Sequence, residues 1–432
     1  MKRAALCVAM ALVAVGSVRA DEPATQARQK RIAIIANVWS AKCHANVIAT
    51  KFFTGFPIDS GLVAPKVKVA SIYIDQGKPH DVAHQLAEKF GVTIYPTITE
   101  ALTLGGKKLA VDGVLYIGEH GDYPRSRLGV KMYPRLNLLE QVFRVLDASN
   151  QSVPVYCDKH LAYSWLDAKW IYDRAAELKA PMMAGSVLPV TWRRPMVEHP
   201  VGANITEAVA VGYGAMDSYG FHVLEILQCM VERRKGGETG VASVQCLRGP
   251  AVYEAANAGK FSLELAEAAC ANCKGKRGAS LAEADTDPTA ILITYRDGTK
   301  GVALMASKYV GEYWGYAAKV DGQTVACEFV SAPKPAYAYF SYLALNVQEM
   351  FLTGKPQYPV ERTLMTSGIL DTAVRSLAAG GQAVSTDFLD IHYAPPATEP
   401  IWPKSSEPAG ASIGPWPPEG FEFIMADKKP AK

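Results

Sequence analysis

"RIAIIANVWSAKCHA", Arg31–Ala45, joins an unbroken apolar run to a tight turn and the start of an amphipathic segment. Such a run reads as a strand covered on both faces, and a helix following it directly is the opening unit of a parallel sheet. In dinucleotide-binding domains this turn carries glycines, which let the chain bend sharply and a pyrophosphate approach bare backbone. This turn has none. The stretch therefore raises two separate questions: whether the chain downstream continues such a domain, and whether a cofactor site survives in it.

The downstream sequence continues the pattern. "VKVASIYID" reads as a second strand ending at Asp75, followed by "HDVAHQLAEKFG", where Val82, Leu86 and Phe90 recur at helical spacing and Gly91 closes the helix. "VDGVLYIG" and "VPVYC" are further apolar runs. "YSWLDAKWIYDRAAELK" reads as a long helix and "APMMAG" as a last short strand. This alternation predicts a doubly wound α/β domain over residues 31–187. Beyond "SVLPVTWRRP" the character changes. "ITEAVAVGYG", "ASVQCL", "AILITYRDGTKGVALMA" and "GYAAKVDGQTVACEFVS" read as strands, two of them folded at Asp-Gly turns that favour hairpins. Helical stretches intervene, so residues 188–393 read as an α+β domain with a largely antiparallel sheet.

The ends of the chain read differently. Lys2 and Arg3 precede an apolar run from Ala4 to Val15, and "SVRA" ends at Ala20, the pattern of a secretory leader over residues 1–20 with a linker at 21–30. A periplasmic or secreted protein is expected. Removing Lys2, Arg3 and Arg19 takes the net charge from +3 to 0, which points away from nucleic acid and anionic membranes as partners. The remaining cysteines are too scattered for a disulfide framework, and "CANC", Cys270–Cys273, has no second C-x-x-C to complete a zinc site. Residues 394–432 are too rich in proline for helix or central strand and read as a tail that is either extended over the surface or partly disordered.

Several segments, taken in order from Arg31 to Gly380, resemble the glucose-fructose oxidoreductase / inositol dehydrogenase (Gfo/Idh/MocA) family. "CDKHLA", Cys157–Ala162, is similar to that family's CEKPLA. "SYGFHVLE", Ser218–Glu225, is similar to its DxGxHxxD, and "FLTGKPQYPVERTLMTSGILDTAVRS" to its closing motif. The resemblance implies a Rossmann domain followed by an open-faced α+β domain, NAD or NADP as cofactor, and a carbohydrate or polyol as substrate. It implies homo-oligomers built on the second sheet. It also assigns Lys159 and His222 to proton transfer, although the family's acid falls on Ser218, with Asp217 one residue away. The glycines fall on Ala36, Val38 and Ala41, and the ribose-binding acid on Asp75. Val38, with Trp39 beside it, stands where phosphates would lie.

Other residues add to the candidate site. His160 replaces the family's proline and makes an acid, amine and imidazole run with Asp158 and Lys159, although Asp158 could equally cap a helix. "IGEHGDYPRSRLGVKMYPR", Ile117–Arg135, is a charged insertion at a strand's carboxyl end, where loops tend to carry function. Glu119, His120 and Asp122 could act as acid and base or hold a divalent ion, though no resident metal is expected. Tyr123 and Arg125, with Arg193 and Arg194 of "TWRRP", are candidate substrate contacts. A cofactor-independent lyase, isomerase or hydrolase on the same scaffold, or a non-catalytic carbohydrate-binding protein, remains compatible with these residues.

Overall fold

The computed structural model describes residues 1, 28–331, 337–409, 413 and 416–425. The leader, apart from Met1, lies outside the described residues. The opening stretch forms β1 (Arg31–Ala36), a loop, and α1 (His44–Ala49), which runs almost directly into α2 (Lys51–Thr54). A small hairpin that the apolar pattern does not announce, β2 (Phe56–Ile58) with β3 (Gly61–Val63), comes before β4 (Lys68–Ile74). Then follow α3 (Val82–Phe90), β5 (Thr93–Ile94), α4 (Ile98–Thr103), β6 (Gly113–Ile117) and α5 (Arg135–Ser149). The first sheet is completed by β7 (Val155–Asp158), α6 (Trp165–Glu177) and β8 (Met182–Gly185).

Local chemistry explains these boundaries. Asp81 caps α3 by accepting from the His84 amide at 3.0 Å, and Gly91 ends it in the left-handed region at φ 64°. Ser164 caps α6 in the same way. The six strands pair in the order β5-β4-β1-β6-β7-β8, all parallel. That is the Rossmann order, and it puts a switch point at β1, where chain direction across the sheet reverses. The loops after β1, β4, β6 and β7 converge at the carboxyl edge around it.

The second half contributes β9 (Trp192–Arg194), β10 (Ile205–Gly212), α7 (Phe221–Val231), β11 (Val241–Arg248), α8 (Pro250–Asn257), α9 (Leu263–Ala269) and α10 (Leu281–Ala284). It continues with β12 (Thr289–Tyr295), β13 (Lys300–Met305), α11 (Ser307–Val310), β14 (Trp314–Val320) and β15 (Gln323–Val330). The last elements are α12 (Ala338–Thr353), α13 (Val360–Ala378) and β16 (Val384–Ser385). Eight strands form one sheet, antiparallel throughout except where β10 pairs with β13. One face packs on α7 and α13. The other, which the family resemblance leaves open, carries a layer of α8–α11, with Val209, Val211, Val302 and Leu304 buried beneath Leu265, Ala266 and Tyr309.

The two halves are clamped together. Helix α13 packs on both α6 and β8 of the first half and α7 of the second, and α12 packs on α1. Arg362 of α13 makes two hydrogen bonds to Glu232 at the end of α7, at 2.8 and 2.6 Å, with both side chains buried. The described tail residues pack on the two domains. Asn346 exchanges two hydrogen bonds with the Ile401 backbone, Asn46 donates to the Ile424 carbonyl, and the Trp416 indole donates to Thr54. No described tail residue lines the cavities at the cleft.

Breaking one member of a buried pair leaves a bare charge in the interior. Glu232→Gln should therefore destabilise the protein by about 3–5 kcal/mol in urea unfolding, and Glu232→Leu with Arg362→Met should recover most of that loss. A single-variant cost within the ~0–1 kcal/mol of an exposed pair would contradict this assignment.

Candidate functional site

Four non-glycine residues in the loops at the sheet's carboxyl edge adopt left-handed backbone: Lys42 after β1, His80 after β4, His120 after β6 and Lys159 after β7, with φ of 63°, 59°, 63° and 62°. Side chains are rarely held this way, and such positions gather at functional sites. The Lys159 amide donates to the Gly185 carbonyl at 3.0 Å, which fixes the turn. Gly185 itself is required there, since a Cβ would lie 2.6 Å from the Glu225 carboxylate.

Around this turn is a buried charge cluster. Glu119 lies between Arg135, 2.5 Å from Nη2, and Lys159, 3.1 Å from Nζ. Burial alone would raise its pKa, but Lys159, Arg135, His44 and His160 together outweigh it and hold the carboxyl well below the usual range. Arg135 also donates to the Asp158 carbonyl. The Asp158 side chain is not a helix cap: its carboxylate takes a 2.7 Å hydrogen bond with His44 Nδ1. His44 thus forms a His–Asp pair that the sequence did not single out, with the His120 ring 5.6 Å away. Its place at the first position of α1, facing the strand-end acid, is the signal that could have identified it.

His160 is buried against Phe221, and its Nδ1 has no hydrogen-bond partner. Desolvation, then Arg135, push its pKa down to about 3. His222 is also buried and depressed, by desolvation first and Lys159 second, so it stays neutral. The carboxylate that the family pattern would place beside it is absent. Instead, Ser186 meets His222 Nδ1 at 2.6 Å, and Asp217 pairs with Arg125 at 2.9 Å. A π-turn at Met216–Gly220 leads into α7 here, a distortion common beside functional sites.

Two cavities meet these groups. One of about 70 Å³ is lined by Glu119, Arg125, Lys131, Tyr133, Lys159, His160, Asp217, Ser218 and Phe221. The other, of about 650 Å³, opens at the switch point over Val38–Cys43, with Gln76, Lys78, Asp81 and His120–Asp122 on its far side. The expectation that Trp39 blocks this space is corrected. Its indole turns into the core and donates to Thr50 at 3.2 Å, and only 1% of the residue is exposed. Val38 and Ala41 do line the cavity, while Ala36 is the buried end of β1. Lys42 supplies the left-handed turn usually left to glycine.

The insertion folds back across this edge. The Gln76 side-chain amide donates to the Asp122 carbonyl and accepts from the Asp122 N–H, and Tyr123 donates to Asp75 at 2.7 Å. Asp75 therefore sits at the expected strand end but shares its carboxylate with the insertion. Arg193 and Arg194 are a further correction. Arg193 is buried in the second domain, bonded to the Pro189 and Val197 carbonyls and stacked on Phe329 and Trp402. Arg194 ties Glu328 to Glu407 of the tail. Strand β9 is an edge strand of the second sheet, and neither arginine lines the two cleft cavities. All seven cysteines among the described residues are buried free thiols. No group of three or more metal-binding side chains converges among the described residues.

No family model and no curated protein matches the chain by sequence. Solved structures match its fold. GenD2 from gentamicin A biosynthesis, in complex with NAD, superposes with a TM-score of 0.54 at 14% identity, over 85% of this chain and 99% of that one. An apo scyllo-inositol dehydrogenase from Lactobacillus casei gives 0.51 at 10% identity, over 83% and 98%. These likenesses establish a shared architecture, a Rossmann domain followed by a mostly antiparallel α+β domain.

The depressed histidines give a signed pH dependence. An unfolded chain protonates His160 near its ordinary 6.5, whereas the folded one resists until about 3, so stability falls as pH drops through that window. Glu119 stabilisation is lost in the same direction, but only below its ordinary 4.5. Between about pH 6.5 and 4.5, His160→Gln should reduce the slope of unfolding free energy against pH by up to one proton. An unchanged slope would contradict the burial assigned to His160.

Proposed function

We propose that this protein is a nicotinamide-dependent oxidoreductase that interconverts a hydroxyl and a carbonyl on a carbohydrate or polyol. The observation that carries the proposal is one juxtaposition. A cavity large enough for a dinucleotide opens at the Rossmann switch point, and the Glu119–Lys159–His160–His222 cluster stands at the carboxyl end of the neighbouring strand. Ligands of open α/β sheets bind at that point. The NAD bound to GenD2, at 14% identity, supports the reading by analogy of architecture.

The chain's residues fit the cofactor. The Val38–Cys43 turn, which includes Lys42, would hold its phosphates together with Lys78, and Asp75 would meet its ribose. When bound, the nicotinamide supplies a hydride acceptor or donor. Everything else falls to the protein. His222, kept neutral by burial, can take the hydroxyl proton as hydride leaves the same carbon, and Ser186 fixes its ring by holding Nδ1. Lys159, held by Glu119, would hydrogen-bond the substrate oxygen and stabilise its developing negative charge. Arg135 maintains that geometry from behind without facing the substrate. The leader at residues 1–20 would place this reaction outside the cytoplasm.

The purified mature protein, incubated with NAD or NADP and a panel of sugars, polyols and sugar acids, should produce reduced nicotinamide detectable by absorbance. Lys159→Ala and His222→Gln should each lower kcat by about 10²–10⁴-fold, with nucleotide affinity preserved. Rates unaffected by both variants, or no redox turnover with either nucleotide across the panel, would overturn the proposal.

A further inference from the structure

We propose that Cys270 and Cys273 form a disulfide, a covalent staple within the turn that ends α9. The starting point is a motif that the cleft leaves unused. "CANC" has no second pair with which to hold zinc, so each thiol's natural partner is the other.

The backbone brings them together. Helix α9 runs to Ala269 and then tightens, with i→i+3 hydrogen bonds closing at Cys270, Ala271 and Cys273. In such tight winding the side chains at i and i+3 eclipse one another. The Cys273 amide donates to the Cys270 carbonyl at 3.0 Å, which closes a turn whose ends lie within ~7 Å. A disulfide needs Cα atoms about 4.4–6.8 Å apart, so this turn accepts one with little movement. The two thiols also hydrogen-bond each other, and that contact, followed by burial, raises the Cys273 pKa. The other described cysteines are on separate elements: Cys43 before α1, and Cys157, Cys229, Cys246 and Cys327 in β7, α7, β11 and β15.

Burial decides what kind of disulfide this is. Cys270 is fully buried and Cys273 is 5% exposed, both in the core between the second sheet and its helical layer. The end of α9 is pressed onto that sheet. A Cβ on Gly315 of β14 would lie 2.2 Å from the Ala269 carbonyl oxygen. Redox-active pairs present an accessible, easily ionised thiol, and Cys273 is neither. The bond is therefore structural, made before α9 docks and shielded afterwards.

The oxidant is a disulfide of another molecule, such as oxidised glutathione or a protein dithiol oxidase. A leader over residues 1–20 would deliver the chain to a compartment that supplies one. As the chain folds, the Cys273 thiolate attacks one sulfur of that disulfide and releases the other as a thiol. The Cys270 thiolate then displaces the remaining thiol from the mixed disulfide. The chain loses two protons and two electrons, and the external disulfide gains both.

The mature protein, unfolded with reductant and refolded with oxidised and reduced glutathione, tests this once its native circular dichroism has returned. Unfolded again and alkylated without reductant, it should label all but two of its seven cysteines. The peptide spanning Cys270 and Cys273 should be lighter by two hydrogen atoms. Cys270→Ser and Cys273→Ser should each abolish the internal bond. Dithiothreitol should reduce it at least about tenfold faster in guanidinium than in the native protein. Labelling of all seven, a glutathione adduct in place of the internal bond, a bond that persists in either variant, or equal reduction rates would overturn the proposal.

Discussion

A buried carboxylate between two cations organises this cleft. Glu119 is stripped of water, and isolation there would cost several kcal/mol. Arg135 and Lys159 offset that cost and are themselves fixed by doing so. Arg135 extends the constraint to the Asp158 carbonyl, while the Asp158 side chain holds His44. One ion cluster thus joins the ends of β6 and β7, the start of α5 and the start of α1. Lys159 can stay in a strained left-handed turn because so many partners determine its position.

The insertion after β6 follows from the same constraint. Glu119 and Arg135 stand at its two ends, so pairing them closes the loop at its base. From there it reaches Asp75 and Gln76 on one side and Asp217 of the second domain on the other. A loop anchored at three places is a fixed wall rather than a loose flap. It divides the cleft into a large dinucleotide-sized cavity and a small polar one, and successive residues, Glu119 and His120, line the two.

Much of this was legible in the sequence. Apolar runs and caps gave the strand–helix alternation, and "CDKHLA" placed Lys159 at a strand end. The insertion stood out by charge alone. What sequence could not supply was side-chain direction. Trp39 sits beside the phosphate position along the chain, yet Thr50 and the core draw it inward. Arg193 and Arg194 read as cleft cations, but β9 joins an edge whose carboxylates and aromatic rings claim them. His222 needed a partner, and Ser186, distant in sequence, provides it in place of an acid. Asp217 was near enough to serve, but Arg125, 92 residues away, holds it instead. Each of these outcomes depends on contacts between distant segments.

The proposed nicotinamide dinucleotide would occupy the cavity over Val38–Cys43 although its turn has no glycine. Isothermal titration of the mature protein with NADH and NADPH addresses it most directly. One equivalent of at least one of them should bind saturably. No heat from either at millimolar concentration, in a protein whose unfolding transition is intact, would contradict it.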